Sequence, residues 1–183
     1  MRQLAGAGKD IKEKAYLSLV RPTLEYGASV WDPYRIGEVK KVEGVQRTAA
    51  RRVLGRVKRW RCEVNKKGIE TKVWERPSEM VSELGWQTLV DRRRIDRISN
   101  FYRAINGKQG WAELGMKIKM DDGTRKKRKW HSKKVIITGA RTDRGKFSFM
   151  RRTGNEWNCI DAEIVEGDVP VKLLRKRLAN CVK

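Results

Sequence analysis

The sequence TLVDRRRIDRISNFYRAING, residues 88–107, is the most regular stretch of this 183-residue chain. Thr88 and Asp91 have the spacing of a capping pair at a helix N-terminus, and Gly107 is typical of the position that ends a helix. The stretch therefore predicts an amphipathic helix that buries one face in a core. That face is an apolar stripe at helical spacing, formed by Ile95, Ile98, Phe101, Tyr102 and Ile105.

The segment before it begins with another helical pattern. Ile11, Ala15 and Leu19 recur at helical spacing over residues 9–20. Pro22 has no amide hydrogen for the carbonyl of residue 18, and its ring disfavours helical geometry at the residue before it. We therefore expect a kink or a break there, with Pro22 opening a second helix, followed by a turn over residues 31–37.

A strongly basic stretch, VQRTAARRVLGRVKRWR, covers residues 45–61 and contains six arginines, one lysine and no acid. It predicts a helix from about Ile36 to Leu54, ended by Gly55. At ~100° per residue, the apolar side chains gather on one face and the arginines occupy the opposite half. This basic half of the helix is either a solvated face or a surface that binds a polyanion. The apolar face comprises Val42, Ala49, Ala50, Val53 and Leu54; the basic half comprises Arg47, Arg51, Arg52 and Arg56.

The remaining segments have weaker patterns. Residues 55–77 are interpreted as a loop and residues 77–85 as a short helix ended by Gly85. Residues 117–134 lose periodicity, and KVIIT (134–138) and KFSFM (146–150) predict two short strands. A turn and short helix follow, and VPVKLLRKRLANCV (169–182) predicts a final helix.

The fold class predicted is mainly α, a small helical bundle with a short β-hairpin in a C-terminal extension. The domains predicted are a helical domain over 1–115, a basic linker over 116–134 and a C-terminal extension over 135–183.

Composition narrows the classes of partner. Lys and Arg number 44 against 22 Asp and Glu, a formal net charge of +22. Such a field attracts nucleic acid first and an anionic membrane surface second. No apolar run approaches the roughly 20 residues of a membrane span, and the N-terminal stretch lacks the apolar core of a signal peptide. We therefore expect no membrane association.

The number and spacing of the cysteines indicate the cellular compartment in which the protein is expected. There are three, widely spaced and without a CxxC motif, so disulfides are not expected. We therefore expect an intracellular protein, nuclear or cytoplasmic. A zinc site would need all three cysteines to converge on the single histidine, His131, and small apolar fillers are the better interpretation.

Recognisable catalytic patterns are few. The chain has no glycine-rich phosphate loop and no histidine paired with a serine or cysteine in a known motif. Asp121 and Asp122, in KMDDG, resemble the metal-binding turn of polymerases. That turn needs flanking strands and a third carboxylate, whereas GTRKKRK follows here, so a solvated acidic turn is the better interpretation. We expect no catalytic residue, no metal and no cofactor.

Several motifs resemble the reverse transcriptases of non-LTR retrotransposons of the LINE type, close to the jockey kind. They are AYLSLVRPTLEYGASVWDP (15–33), VEGVQRTAARRVLG (42–55), ELGWQTLVDRRRIDRISNFYRAING (83–107), HSKK (131–134), RTDRGKFSF (141–149) and RRTGNEWN (151–158). The last two contain Arg141, Thr142, Phe149, Arg152, Thr153, Trp157 and Asn158 at the family's positions. The resemblance covers nearly all of the chain in order, and it departs from the family at Cys159 and Asp161, where leucine and proline are usual.

The resemblance implies the thumb and a C-terminal extension of such a polymerase. The fingers, the palm with its catalytic carboxylates and the endonuclease domain would lie upstream. We therefore expect a truncated C-terminal portion of an RNA-directed DNA polymerase, which binds nucleic acid backbone without sequence specificity and does no chemistry alone. The upstream palm is a further expected partner.

The residues expected to contact phosphates are Arg47, Arg51, Arg52 and Arg56, with Lys58 and Arg59 adding to the field. A second basic element is Arg125, Lys126, Lys127, Arg128 and Lys129, which could equally be a nuclear import signal. Two alternatives stay open: a remnant of a retroelement with no function, and an active reverse transcriptase.

Overall fold

The computed structural model of the chain describes Leu4 and residues 6–55, 60–64, 68–74, 76–107, 119–121 and 131–181. These residues are mainly helical, as the sequence predicts. The helices are α1 (Lys9–Ala15), a π-helical turn (Tyr16–Val20), α2 (Arg21–Glu25), α3 (Ala28–Trp31), α4 (Ile36–Val53), α5 (Pro77–Glu83), α6 (Leu89–Ile105), α7 (Asp143–Lys146), α8 (Phe149–Asn158), α9 (Ala162–Val165) and α10 (Val171–Cys181). Two strands, β1 (Trp60–Val64) and β2 (Glu70–Trp74), pair antiparallel.

Backbone contacts divide the chain into two compact units. The first comprises Met1–Tyr26 and Pro33–Arg92, and the second comprises Gly27–Asp32 and Arg93–Lys183. The division falls within α6, and it differs from the division into 1–115, 116–134 and 135–183 that the sequence predicts. The apolar stripe of α6 needs cover, and residues from 131 onward provide it.

The long helix of the first unit, α4, matches its predicted bounds and ends at Gly55, whose φ of +65° suits glycine. Its apolar face packs in a cluster with Tyr16, Met80, Val81 and Trp86. The rings of Tyr16 and Trp86 stack with centroids 4.6 Å apart. Burial raises the pKa of Tyr16 to about 12 because the ionised phenolate would lose its hydration.

The interruption at Pro22 is confirmed. A π-helical turn precedes it, and α2 begins at Arg21 with the proline in its first turn. Hydroxyl groups of Ser18 and Thr23 donate to the carbonyls of Lys14 and Leu19, which provides partners where the backbone ladder changes register.

The second unit is built around Trp157, which is fully buried in α8. The rings of Phe101 and Tyr102 lie 6.0 and 5.9 Å from it, so the predicted stripe of α6 is confirmed as core. The phenol of Tyr102 donates to the carbonyl of Val169 at 2.9 Å and accepts from its amide at 3.0 Å. This pair of bonds fixes the chain just before α10.

The strand interpretation of KFSFM, residues 146–150, is wrong. Lys146 ends α7, and Phe149 and Met150 begin α8. Alternation of Phe147 and Phe149 has the period of a strand, but burial follows positions 149, 153 and 157, the period of a helix. Of KVIIT, Val135 alone forms a bridge, and its antiparallel partner is Met120.

The interpretation of residues 55–77 as loop is also corrected, because β1 and β2 lie within it with Trp60 opposite Trp74. Aromatic and β-branched residue types favour strands. In residues 55–77 the aromatic and β-branched residues are separated by basic residues and glycine, so the alternation typical of strands was not recognised in the sequence.

Candidate functional site

The basic half of α4 lies opposite its buried face. Ala49, Ala50 and Val53 are buried, whereas Arg51 and Arg52 are exposed. Neither of these two arginines forms an ion pair with a described carboxylate. The geometry predicted from the helical period is therefore correct for the described part of the helix.

Arg47 differs from its neighbours on the same face. Its Nη2 donates to the carbonyl of Lys40 at 3.1 Å and its Nε to that of Glu43 at 3.4 Å. The half-buried guanidinium is thus folded back along its own helix. Arg47 would have to give up these bonds to bind an external anion, and Arg51 would not.

The acids of α4 are engaged elsewhere. Oε1 of Glu43 accepts from the amide of Val90 at 2.8 Å, at the start of α6, where the helix dipole favours a carboxylate. Glu38, which precedes Glu43 on α4, pairs with Nζ of Lys41 at 3.0 Å. Lys40 is exposed on the same side as Arg47 and Arg51, and the sequence interpretation did not include it because Lys40 precedes the basic stretch that begins at Val45.

Gln46 is another residue that the sequence did not single out. It is fully buried in the middle of the apolar face of α4, and its Nε2 donates to the carbonyl of Gln87 at 2.9 Å. The bond ties α4 to the segment before α6 and sets which face of α4 turns outward.

The other predicted contacts lie outside the described residues. They are Arg56, Lys58 and Arg59 after α4, Arg125, Lys126, Lys127, Arg128 and Lys129 in the second basic element, and Asp122 beside Asp121. Asp121 itself donates its amide to the carbonyl of Lys134 at 2.9 Å, next to the bridge of Met120 with Val135.

The second unit contains a network of charged side chains that sequence reasoning missed. Asp32, directly after α3, accepts from Nε of Arg93 through Oδ1 at 2.7 Å. Its Oδ2 lies 3.0 Å from Nε of Arg97 and 3.1 Å from Nη1 of Arg152. Nη2 of Arg97 also donates to both oxygens of Glu156 at 3.1 Å.

Burial separates these guanidinium groups from those of α4. The side chains of Arg93 and Arg97 are 0% and 3% exposed, and that of Asp32 is 6% exposed. Burial lowers the pKa of Arg97, and Glu156 opposes this effect. The signal in the sequence was the i, i+4 spacing of Arg93 and Arg97, which places both on one face of α6.

Trp157 and Asn158, at the end of α8, hold the segment 131–137, which is a turn at residues 132–133 followed by the bridge residue Val135. Asn158 accepts from the amide of Val135 at 3.0 Å and donates to its carbonyl at 2.8 Å, and Trp157 donates to the carbonyl of Lys133 at 2.7 Å. His131 is fully buried against Trp157, with Nε2 3.2 Å from its carbonyl. Burial lowers the pKa of His131 because the charged imidazolium is disfavoured there.

The described residues contain neither a candidate metal-binding cluster nor a helix suited to cross a membrane. Within those ranges, no three His, Cys, Asp or Glu side chains lie together in a way that could hold a metal ion. Likewise, no helix of the described chain is long and apolar enough to cross a membrane.

A shallow pocket of about 110 Å³ lies in the second unit. Its lining places no histidine beside either thiol, so it lacks the imidazole–thiol pair of a cysteine nucleophile. The lining residues are Arg94, Ile95, Ile98, Cys159, Ile160, Asp161, Ile164, Leu178 and Cys181.

Comparison of the chain with family models, with curated proteins and with solved structures yields no match.

Proposed function

We propose that this chain binds the phosphate backbone of nucleic acid, without sequence specificity, through the basic face of α4. The observation that carries the proposal is the exposure of Lys40, Arg51 and Arg52 along a helix whose acids, Glu38 and Glu43, are already engaged. Exposed guanidinium groups without a carboxylate partner are available to phosphate oxygens, which they bind in a bidentate manner.

The dimensions of the face suit a backbone. Lys40 and Arg52 are twelve residues apart, which is ~18 Å of helix at ~1.5 Å per residue. One strand of duplex DNA presents a phosphate about every 3.4 Å of axis, so about five phosphates lie within this length. The net charge of +22 adds long-range attraction.

The resemblance to LINE-type reverse transcriptases supports a more specific form of the proposal. The chain would be a truncated C-terminal portion of an RNA-directed DNA polymerase, with a thumb-like helical bundle that follows the primer–template duplex. In the first unit, the side chains of Leu19 and Ile36 are each 72% exposed, and the palm of such a polymerase is the partner we propose for them.

A salt series on labelled duplex DNA tests the binding surface. With about five phosphates neutralised, log K falls with log salt at a slope near −4.5, roughly a 500-fold loss between 50 and 200 mM salt. Arg51→Gln with Arg52→Gln removes two charges and reduces the slope by up to ~1.8. Fluorescence anisotropy measures both quantities.

The matched control is Lys172→Gln with Lys176→Gln, two exposed cations of α10. It removes the same charge and leaves α4 intact, so we expect its slope to stay within a few tenths of the unmodified protein. Equal losses in the two double variants would show a diffuse field and no docking surface.

Single substitutions sharpen the test. Arg51→Gln should weaken binding more than Arg47→Gln, because the Arg47 guanidinium is held by two carbonyls of its own helix. The reverse order would mean that Arg47 leaves its helix on binding.

A primer-extension assay with Mg²⁺ tests the remaining part of the proposal. We expect no nucleotide incorporation, because no segment of this sequence has the pattern of a strand that would bring a third carboxylate to Asp121 and Asp122, as in a polymerase palm. Incorporation that disappears in Asp121→Asn with Asp122→Asn would contradict the proposal and identify an active polymerase.

A further inference from the structure

The network around Asp32 buries more positive than negative charge. Two guanidinium groups, of Arg93 and Arg97, are almost completely buried, and they face one buried carboxylate. Glu156, which is 26% exposed, is shared by Arg97 and Arg152, and Arg152, which is 20% exposed, also reaches Asp32. Three guanidinium groups, of Arg93, Arg97 and Arg152, therefore face two carboxylates, of Asp32 and Glu156. The buried excess is therefore one positive charge, which is costly unless a counter-charge accompanies it.

Unpartnered hydrogen-bond donors lie at the same place. Arg93 uses Nε for Asp32, but its buried Nη1 and Nη2 have no hydrogen-bond partner among the described residues. Nη1 of Arg97, one helical turn further along α6, is also buried without one. A buried donor without a partner destabilises the folded state, and a charged donor does so more than a neutral one.

The Trp31 ring limits where an acceptor could lie. The guanidinium carbon of Arg93 is 5.8 Å from the centre of this ring. Because the N–H bonds of a guanidinium lie in its plane, an acceptor must approach its edge, beside Nη1 and Nη2. The ring offers a π face to the cation and no hydrogen-bond acceptor to these atoms.

We propose that Nη1 and Nη2 of Arg93 hold one small monovalent anion, of the size and charge of chloride, with Arg97 adding to the field. The single negative charge of such an anion neutralises the one excess positive charge of the buried network. The anion can also accept hydrogen bonds from the unpartnered Nη1 and Nη2 of Arg93. A nucleic-acid phosphate does not fit, since a phosphodiester carries two bulky substituents and the Arg93 side chain is 0% exposed. The site is thus distinct from the exposed arginines of α4.

Bromide tests the site directly, because it replaces chloride and scatters anomalously. Crystals of the full chain grown with sodium bromide should show an anomalous peak about 3.3 Å from Nη1 or Nη2 of Arg93, a distance slightly longer than the ~2.9 Å of N–H···O bonds. Ordered water there without anomalous signal would overturn the proposal, and so would bromide found at surface arginines alone.

A thermal-melting series gives a second test in solution. At constant ionic strength, replacing gluconate by chloride should raise the melting temperature of the unmodified protein and of Arg51→Gln with Arg52→Gln. Arg93→Met keeps the apolar bulk and removes the donors, so it should melt at the same temperature in both salts. An equal chloride effect in Arg93→Met would overturn the proposal; if this variant does not fold, the bromide measurement decides.

Discussion

The arginines of α4 and those around Asp32 are the same residue type in opposite surroundings. Arg51 and Arg52 are exposed, and within the described chain no carboxylate pairs with them. Arg93 and Arg97 are buried, and each reaches the carboxylate of Asp32. An exposed guanidinium keeps its hydration and stays available to a ligand, whereas a buried one loses its hydration and must be compensated by the fold. Arginine clusters in this sequence therefore have two roles: exposed arginines are available to bind a ligand, and buried arginines stabilise the fold through ion pairs.

The largest effect is expected when a charge is buried without an ion-pair partner, in contrast to the paired charges around Asp32. Ile98→Asp places a carboxylate at a position that is 1% exposed, next to Arg97 on α6. An isolated buried charge costs several kcal/mol, which is comparable to the ~5–15 kcal/mol stability of a whole domain. We expect the second unit to unfold, measured as lost helical circular dichroism. Ile98→Val, the control, should cost only ~0.5–1.5 kcal/mol; a variant Ile98→Asp that melts like the unmodified protein would contradict the assigned core.

Removing the shared carboxylate should have the next largest effect. Asp32→Ala leaves the buried guanidinium group of Arg93 without its counter-charge and removes one of the two carboxylates that Arg97 contacts, so we expect a loss of about 3–5 kcal/mol in the free energy of unfolding. Glu38→Ala, the control, breaks the exposed pair with Lys41 on α4 and should change it by less than ~1 kcal/mol. Urea denaturation measures the loss in unfolding free energy for both variants. Similar losses would contradict the claim that the buried ion pairs around Asp32 stabilise the fold more than the exposed pair on α4.

The same substitution in the two regions gives a smaller and more direct contrast. Arg97→Gln removes donors to Glu156 and a charge beside Asp32, but Arg93 and Arg152 still reach that carboxylate. We expect a loss of about 2–3 kcal/mol, the range for hydrogen bonds to charged groups. Arg51→Gln should stay within ~0.5 kcal/mol, as for other surface substitutions. Thermal melting compares the two, and a destabilised Arg51→Gln would show that α4 uses this side chain for folding.

The smallest effect concerns His131, the single histidine of the chain. Burial lowers its pKa in the folded state, with Lys134 acting in the same direction and Glu166 opposing. The unfolded chain therefore binds the proton more readily below its ordinary pKa of about 6.5. Stability from this group is present above pH ~6.5 and is lost as the pH falls toward the folded-state pKa, at up to ~1.4 kcal/mol per pH unit.

Urea denaturation between pH 7.5 and 5 measures this slope. His131→Gln should remove it, because histidine is the side chain whose ordinary pKa lies within this pH range. A slope that survives in His131→Gln would assign the pH dependence to another group.

The sequence by itself determined the two long helices, α4 and α6, and the face that each one buries. The period of about 3.6 residues is local, so Ala49, Ala50 and Val53 on α4 and Ile98, Phe101 and Tyr102 on α6 could be assigned to the core. Helix ends were equally local, because Gly55 and Gly107 adopt positive φ angles that other residues resist. The outward direction of Arg51 and Arg52 followed from the same period.

Only the tertiary structure decided what the remaining polar groups contact. Asp32 and Arg97 are 65 positions apart in the chain, so no local pattern could pair them, and Arg93 looked like another surface cation. The helix at residues 149–158 was decided in the same way, because its Trp157 packs against Phe101 and Tyr102, which are distant in sequence. A side chain's charge is encoded locally, but its hydration depends on what the rest of the fold packs around it, and that hydration separates a ligand-binding arginine from a structural one.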